Sequence, residues 1–320
     1  MYSTEGYQAP REGSVVIRRD DRGVLSVGGQ DRLAWLQGLL TNDVEKLLPG
    51  DSCYAAYLTP QGRMISDMRV INGEDRTLLE VPGVLAESLC AKLDSLLFTE
   101  DAQIANLSAS VAVIDLVGPA AALPPQARAA AIATALDSVY GVASVTMFVN
   151  VADADAVLGA AVDAGAISTT LETLEVLRIE AGVPLFLVDM DEHTIPLEAG
   201  IERRAVSFTK GCYVGQEVIV RVVQRGQGRV AKKLVGLRFE VGASPRAGDI
   251  VRRDEREVGR ITSGTWSPAL KCPIALAYVH RDFLQPGTVL LAHSAESDAL
   301  IPATVVALPF VGATAESSTG

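Results

Sequence analysis

Hydrophobic and polar positions change period several times along the first half of the chain. In "SVVIRRDDRGVLSVGG" two β-branched runs flank Asp21–Gly23, which predicts two short strands around a turn. In "DRLAWLQGLLTNDVEKLLPG", Leu33, Leu36, Leu39, Leu40, Val44 and Leu47 recur close to helical spacing, with Asp31 as N-cap and Pro49-Gly50 as a stop. "CYAAYLTPQGRMISDMRVI" reads as two strands around a turn at Pro60 and Gly62. "TLLEVP" extends the meander, and "VLAESLCAKLDSLLF" is an amphipathic helix. A second cycle follows: "SVAVIDLVG" as strand, the Ala-rich "PPQARAAAIATALDSVYG" as helix, "SVTMFVN" as strand and "DADAVLGAAVDAGA" as helix. "LETLEVLRIEAGVP" is a further helix stopped by Gly182 and Pro184, and the β-branched run after Gln216-Glu217 predicts a strand.

From about Lys232 the texture changes. Short strand-like runs such as "KKLVGLRFE", "EVGRITSG", "PIALAYVHRD" and "PATVVALPF" are punctuated by Gly or Pro, the pattern of a small all-β barrel or sandwich. The expected organisation is a loose tail over 1–12, an α+β core of two subdomains over 13–228, a β-barrel over 229–311, and a second loose tail over 312–320. The boundary falls near "QRGQGRV", whose glycines read as an interdomain turn because a strand, not a helix, follows them. The barrel is expected to close on the core through "TSGTWSP", with Trp266 buried.

Composition narrows the functional classes. With 320 residues, 48% hydrophobic and 21% charged, the chain folds into more than one domain. A net charge of −11 repels nucleic acid and anionic membrane, so an anionic ligand needs a local basic patch. There is no run of eighteen apolar residues and no signal-peptide core in "MYSTEGYQAPREGS". The four cysteines are far apart and the three histidines scattered. Neither a disulfide framework nor a metal site is expected, and a reducing cytoplasm is the expected setting.

Chemistry concentrates in a few places. In "TKGCYVGQEVIV", Cys212 is either a small buried hydrophobe or a working thiol. Lys210 two residues away favours a thiolate, and Gly211 and Gly215 leave the backbone uncluttered. Glu180, near the end of "LRIEAG", is either a solvated carboxylate or a buried one that accepts paired N–H donors from a flat heterocycle. Arg203, Arg204, Lys210, Arg221, Arg225, Arg229, Lys232 and Lys233 form a local basic excess, which is either a solvated strip or a seat for ligand carboxylates. Asp67 is a strand aspartate that becomes a base only if buried beside a ligand.

Taken together, "WLQGLLTNDVEKLLPG", "YLTPQGRMISDMRV", "LRIEAGVPLFLVDMDEHTIPLEAG" and "VGRITSGTWSPALKCPIALAYV" resemble the folate-binding YgfZ/GcvT superfamily nearly end to end. "KGCYVGQE" is similar to the signature of the YgfZ branch, where glycine-cleavage T-proteins carry a D-F-I-G-K-E type sequence. The resemblance implies two ferredoxin-like α+β parts and a C-terminal β-barrel around a central channel that holds tetrahydrofolate or a derivative. It implies pterin contact by Glu180 and folate contact by Asp67, Arg229 and Tyr213, with Cys212 as a functional thiol beside Lys210 on a ligand-facing loop. T-proteins carry two adjacent acidic residues where this chain has Ser66 and Asp67, which argues against aminomethyl transfer. The resulting expectation is an accessory factor in iron–sulfur cluster assembly or repair, with iron–sulfur enzymes or assembly proteins as partners. The alternative is a folate-dependent aminomethyltransferase or related one-carbon enzyme.

Overall fold

A computed structural model describes residues 4–119, 121–224, 229–293 and 300–312. In chain order it runs α1 (Thr4–Glu12), β1 (Val15–Arg18), β2 (Arg22–Gly28), α2 (Arg32–Leu39), β3 (Ser52–Leu58), β4 (Met64–Asn72), β5 (Arg76–Pro82), α3 (Ala86–Asp94) and β6 (Gln103–Asn106). It continues with β7 (Val111–Val117), α4 (Pro125–Ala130), β8 (Ala131–Asp137), β9 (Ser144–Asn150), α5 (Ala154–Asp163), β10 (Ile167–Ser168), α6 (Leu171–Glu180), α7 (Pro196–Ala199), α8 (Glu202–Ala205) and α9 (Gln216–Gln224). The barrel strands are β11 (Lys232–Phe239), β12 (Ile250–Arg253), β13 (Arg256–Ser267), β14 (Cys272–His280), β15 (Val289–His293) and β16 (Leu300–Val306).

Two five-stranded sheets form the α+β core, in the orders β3-β4-β5-β2-β6 and β10-β1-β7-β9-β8. Leu25, Met68 and Leu79 of the first sheet pack against Trp35 and Leu36 of α2 and Leu89 and Leu93 of α3. Val16, Ile114 and Met147 of the second pack against Val157 and Ala161 of α5. A third cluster, with Val24, Ile71 and Leu78 from one sheet and Val113 and Phe148 from the other, joins the two. The expected pair of strands at the N-terminus exists, but it is not a hairpin. β1 pairs with β7 (Val15↔Val117) and β2 with β5 (Leu25↔Leu79), so Arg19–Asp21 carries the chain from one sheet to the other.

The third body is the expected barrel, closed in the order β11-β14-β13-β12-β15-β16 and filled by Leu237, Phe239, Val251, Ile261, Ala277, Leu290 and Val305. Ile179 of α6 packs into Leu234, Ile274, Leu276 and Tyr278 on its outside. Trp266 does not make this junction. It is 41% exposed, because it follows the register of β13 to the solvent side while Ser267 turns inward. The "QRGQGRV" glycines lie outside the described residues, as does 313–320.

Three element assignments differ from expectation. Thr4–Glu12, within the segment expected as a loose tail, is the helix α1, tied to the core through Tyr7 and Arg11. The Ala-rich segment is helical only over α4 and then becomes β8, which pairs with β9 (Thr134↔Met147); the ladder overrides alanine's helix propensity. Gln216–Gln224 is a helix, because Ile219, Val222 and Val223 share one face and bury it against Leu58, Met64 and Phe186.

Candidate active site

The crossing between the sheets builds the site. Arg19, Asp21 and Arg22 enter a central cavity of about 380 Å³, opposite Tyr54, Asp67 and Arg69 from β3 and β4. Glu175 and Arg178 of α6 and Arg204 of α8 complete the wall. The cavity is lined by the two sheets, α6, α8 and the segment after α6, and its Arg178 is held from behind by Ser263 of the barrel (2.8 Å) and by Asp189 of the connecting segment (2.7 Å).

Its floor is an ion-pair network between distant residues. Arg19 pairs with Asp115 (2.8 Å) and Asp21 (2.8 Å), Arg22 with Glu80 (2.9 Å), and Arg69 with Glu80 (3.4 Å) and Asp137 (3.5 Å). Arg69 also donates to Thr146 Oγ1 at 2.6 Å, and Thr146 donates to Asp115. Burial pushes the Asp115 carboxyl up, but Arg19, Arg69 and the Thr146 hydroxyl outweigh it and hold it below the usual carboxylate range. For Arg22, burial acts to lower the pKa and the carboxylates of Glu80 and Asp67 outweigh that effect, so it stays charged. Such pairs fix geometry, because losing either partner leaves a buried charge uncompensated.

Asp67 differs from this network. Tyr54 Oη donates to its Oδ2 at 2.8 Å, while Oδ1 is buried and accepts no hydrogen bond. The residue is 4% exposed. Burial raises its pKa, with Arg22 pulling the other way. A buried carboxylate oxygen without a donor, on a cavity wall, is a site for a ligand N–H or for proton exchange. The Arg204 guanidinium lies 4.9 Å over the Tyr54 ring, so a cation and the carboxylate share one anchor. Ser66, the position of the second acidic residue in T-proteins, is fully buried and donates to the Asp67 carbonyl at 2.7 Å.

The remaining candidate residues lie elsewhere. Glu180 is 1% exposed and accepts from Tyr7 (2.7 Å), Arg11 (2.6 Å) and Ser267, while its backbone carbonyl accepts from Phe310 (2.9 Å) and Val311 (3.1 Å). It fastens α1, β13 and the C-terminal segment to α6, is not among the residues that line the cavity, and has its donors from the protein. Tyr213 packs in the apolar cluster of Met64, Phe186 and Ile219. Arg229 is exposed and off the cavity wall, and among the described residues of the basic excess only Arg204 reaches that wall.

Lys210 is a helix cap. Its Nζ donates to the carbonyls of Gln37 (2.6 Å), Leu40 (2.7 Å) and Asn42 (2.9 Å) at the C-terminus of α2. Burial lowers its pKa to about 8, yet three converging acceptors call for an ammonium's three protons. The cap also explains why α2 stops at Leu39 and not at Leu47. Cys212 is exposed, as a working thiol requires, but it is not on the cavity wall and its sequence neighbour Lys210 is committed to α2. Gly215 has the tight path expected of it, at φ +84° with a Cβ position 2.5 Å from the Thr59 carbonyl; nothing approaches Gly211. Among the described residues no group of three or more His, Cys, Asp or Glu side chains is placed to hold a metal ion, and no helix is long and apolar enough to cross a membrane.

The GCVT N-terminal domain model matches residues 3–136, and the glycine cleavage T-protein C-terminal barrel model matches residues 232–312. An aminomethyltransferase of Nostoc sp. (strain PCC 7120 / SAG 25.82 / UTEX 2576) is 30% identical over 332 residues, covering 96% of this chain and 87% of that protein. The chain belongs to the glycine cleavage T-protein family. The aminomethyltransferase of Bacillus subtilis (strain 168) is 29% identical over 331 residues, covering 95% of this chain and 89% of that protein. The crystal structure of glycine cleavage system aminomethyltransferase T from Bartonella henselae superposes with a TM-score of 0.85, covering 97% of this chain and 89% of that one. At 20% identity that likeness shows the shared T-protein fold. These relatives overturn the expected iron–sulfur assembly role and its iron–sulfur partners: the T-protein family members matched here carry the name aminomethyltransferase. Ser66 is one position against a likeness that spans 96% of the chain.

Proposed function

We propose that the chain is a tetrahydrofolate-dependent one-carbon transferase of the aminomethyltransferase class, acting in the central cavity with Asp67 as its reacting-site carboxylate. The observation that carries this reading is the buried, donorless Oδ1 of Asp67 on the cavity wall. The family relatives supply the reaction class.

The residues present suit a folate. Its pterin is a flat set of N–H donors, for which Asp67 Oδ1 and the Glu175 carboxylate are acceptors on the wall. Its glutamyl carboxylates suit a guanidinium at the wall, and Arg204 is the partly exposed one. Bound tetrahydrofolate supplies the nitrogen that takes up the one-carbon unit. Tyr54 holds Asp67 by one oxygen so that the other faces the ligand. Burial raises the Asp67 pKa, which suits a group that takes and returns a proton during transfer. The Arg19–Asp115–Arg69 network keeps the floor rigid and the site charged.

Within the family, "KGCYVGQE" supports placement in the branch that resembles YgfZ. Four free cysteines suit a cytoplasmic protein. Two measurements test the function. Calorimetry with tetrahydrofolate is expected to show saturable binding that weakens by about 1–3 kcal/mol in Asp67→Ala. Tetrahydrofolate-dependent ammonia release from an aminomethylated lipoyl carrier is expected to fall by about 10²-fold or more in Asp67→Asn. Absence of folate binding, or full activity in Asp67→Asn, rejects the assignment.

A further inference from the structure

A second cavity, of about 590 Å³, lies between the Leu187–Thr194 segment and the outer face of the barrel. It is separate from the central one: Arg178 lines the first, Asp189 lines the second, and their hydrogen bond closes the wall between them. Three features of this cavity are unused by the function above.

The first is Tyr278 of β14, only 7% exposed, whose hydroxyl makes no hydrogen bond. Thr194 is its neighbour, but the Thr194 hydroxyl is given to Asp191 Oδ1 at 2.9 Å and completes no hydrogen bond with the tyrosine. A buried hydroxyl without a partner is uncommon and marks a place where a ligand group completes the geometry. The second is Glu198 of α7, half-buried and without an ion pair among the described residues. The third is Lys232 of β11. It lies 4.8 Å over the Tyr278 ring and likewise has no carboxylate within ion-pair distance among the described residues. One cavity therefore presents a half-buried carboxylate and an exposed ammonium that attract one another across it without closing an ion pair, and a hydroxyl without a partner, while the exposed Asp191, Glu257 and Arg260 also lie on its lining. Leu187, Val188, Met190 and Val258 supply its apolar side.

We propose that this cavity binds an aliphatic α-amino acid as its zwitterion, with the ammonium on Glu198, the carboxylate on Lys232 and the Tyr278 hydroxyl, and the side chain against Leu187 and Val188. An amine alone leaves Lys232 unanswered and a carboxylate alone leaves Glu198 unanswered, so both charges are needed for full affinity. The site is independent of folate chemistry, and its failure leaves the central cavity's assignment intact.

The test is calorimetry on the full chain with glycine, L-alanine, L-valine and L-leucine, and with isobutylamine and isovalerate as the single-charge analogues of valine. At least one of the larger amino acids is expected to bind saturably with Kd below about 1 mM, and both analogues at least about tenfold more weakly. Glu198→Gln and Lys232→Met are each expected to lose about tenfold, in protein whose tetrahydrofolate titration is unchanged. Tyr278→Phe separates a ligand role from a structural one. With no hydrogen bond to lose, the free variant keeps its thermal midpoint while its amino-acid affinity falls. The proposal is overturned if no amino acid binds, if the analogues bind as well as valine, or if binding survives Glu198→Gln and Lys232→Met unchanged.

Discussion

Replacing Glu180 by alanine should destabilise the fold and leave folate affinity alone. The carboxylate is the shared acceptor of Tyr7, Arg11 and Ser267, which come from α1 and β13. Arg11 Nη2 sits 2.6 Å from Oε2 with its side chain 23% exposed, against 1% for Glu180. Truncation removes one charge-assisted bond worth about 1.5–3 kcal/mol and two hydroxyl bonds of about 0.5–1.5 kcal/mol each. Partial exposure of Arg11 lets water recover part of its loss, so the expected cost is about 3–4 kcal/mol, close to that of breaking a buried pair. Glu180→Gln keeps an acceptor for the hydroxyls and loses the charge, for about 1–2 kcal/mol. Urea titration gives these differences through the midpoint at constant slope. A double-mutant cycle with Arg11→Met should return a coupling of about 1–3 kcal/mol. Calorimetry on the folded variants should give wild-type tetrahydrofolate affinity. The reasoning is refuted if Glu180→Ala costs under about 1 kcal/mol, or if it stays stable while folate binding falls tenfold, the behaviour of a pterin contact.

Lys210→Met strands three carbonyls at the end of α2 and should cost about 2–4 kcal/mol in the same titration, with an unchanged rate of Cys212 alkylation; a faster or slower rate restores the Lys210–thiol pairing. Asp67→Asn should raise the thermal midpoint at about pH 7 but not at about pH 3. Its folded pKa lies above the unfolded value, so the carboxylate's burial cost is absent below the unfolded pKa, develops as pH rises past it and is complete above the folded pKa. A midpoint difference independent of pH contradicts that account. Iodoacetamide followed by mass spectrometry should label exposed Cys212 in the native protein well before buried Cys272, and equal rates contradict the placement of the 209–215 loop.

Residues whose environment is local were legible in the sequence. Gly and Pro spacing marks the barrel strands because β12–β13, β13–β14 and β15–β16 are each paired with a neighbour in sequence. Asp67 was legible as a candidate because its turn and strand are one continuous hairpin with β3. Failures occur where a distant partner decides. Ala131–Asp137 has helical composition and becomes strand because β9 offers an edge. "VIVRVV" has strand composition and becomes helix because Leu58, Met64 and Phe186 offer an apolar surface to one side of it. In sequence Glu180 reads as a carboxylate in need of paired N–H donors, while the donors the structure gives it are two hydroxyls and a guanidinium from Tyr7, Ser267 and Arg11, all distant in the chain.

The same distinction explains why the arginines of the cavity do not stand out in the sequence. Arg19, Arg22 and Arg69 look in sequence like ordinary strand-edge charges, and their partners Asp115 and Glu80 lie up to 96 residues away. What brings them together is the crossing at Arg19–Asp21, where the chain leaves the sheet of β1 and enters the sheet of β2. A hairpin there would have kept these charges on one sheet, exposed and separately solvated. The crossing instead stacks the two sheets through Val24 and Phe148 and directs the charged ends of both toward α6 and α8. In that setting a carboxylate such as Asp67 can be buried beside guanidinium groups already committed to other acids, which leaves one of its oxygens without a donor. The unsatisfied oxygen is thus a consequence of topology, and it is this oxygen that the proposed function assigns to a ligand N–H.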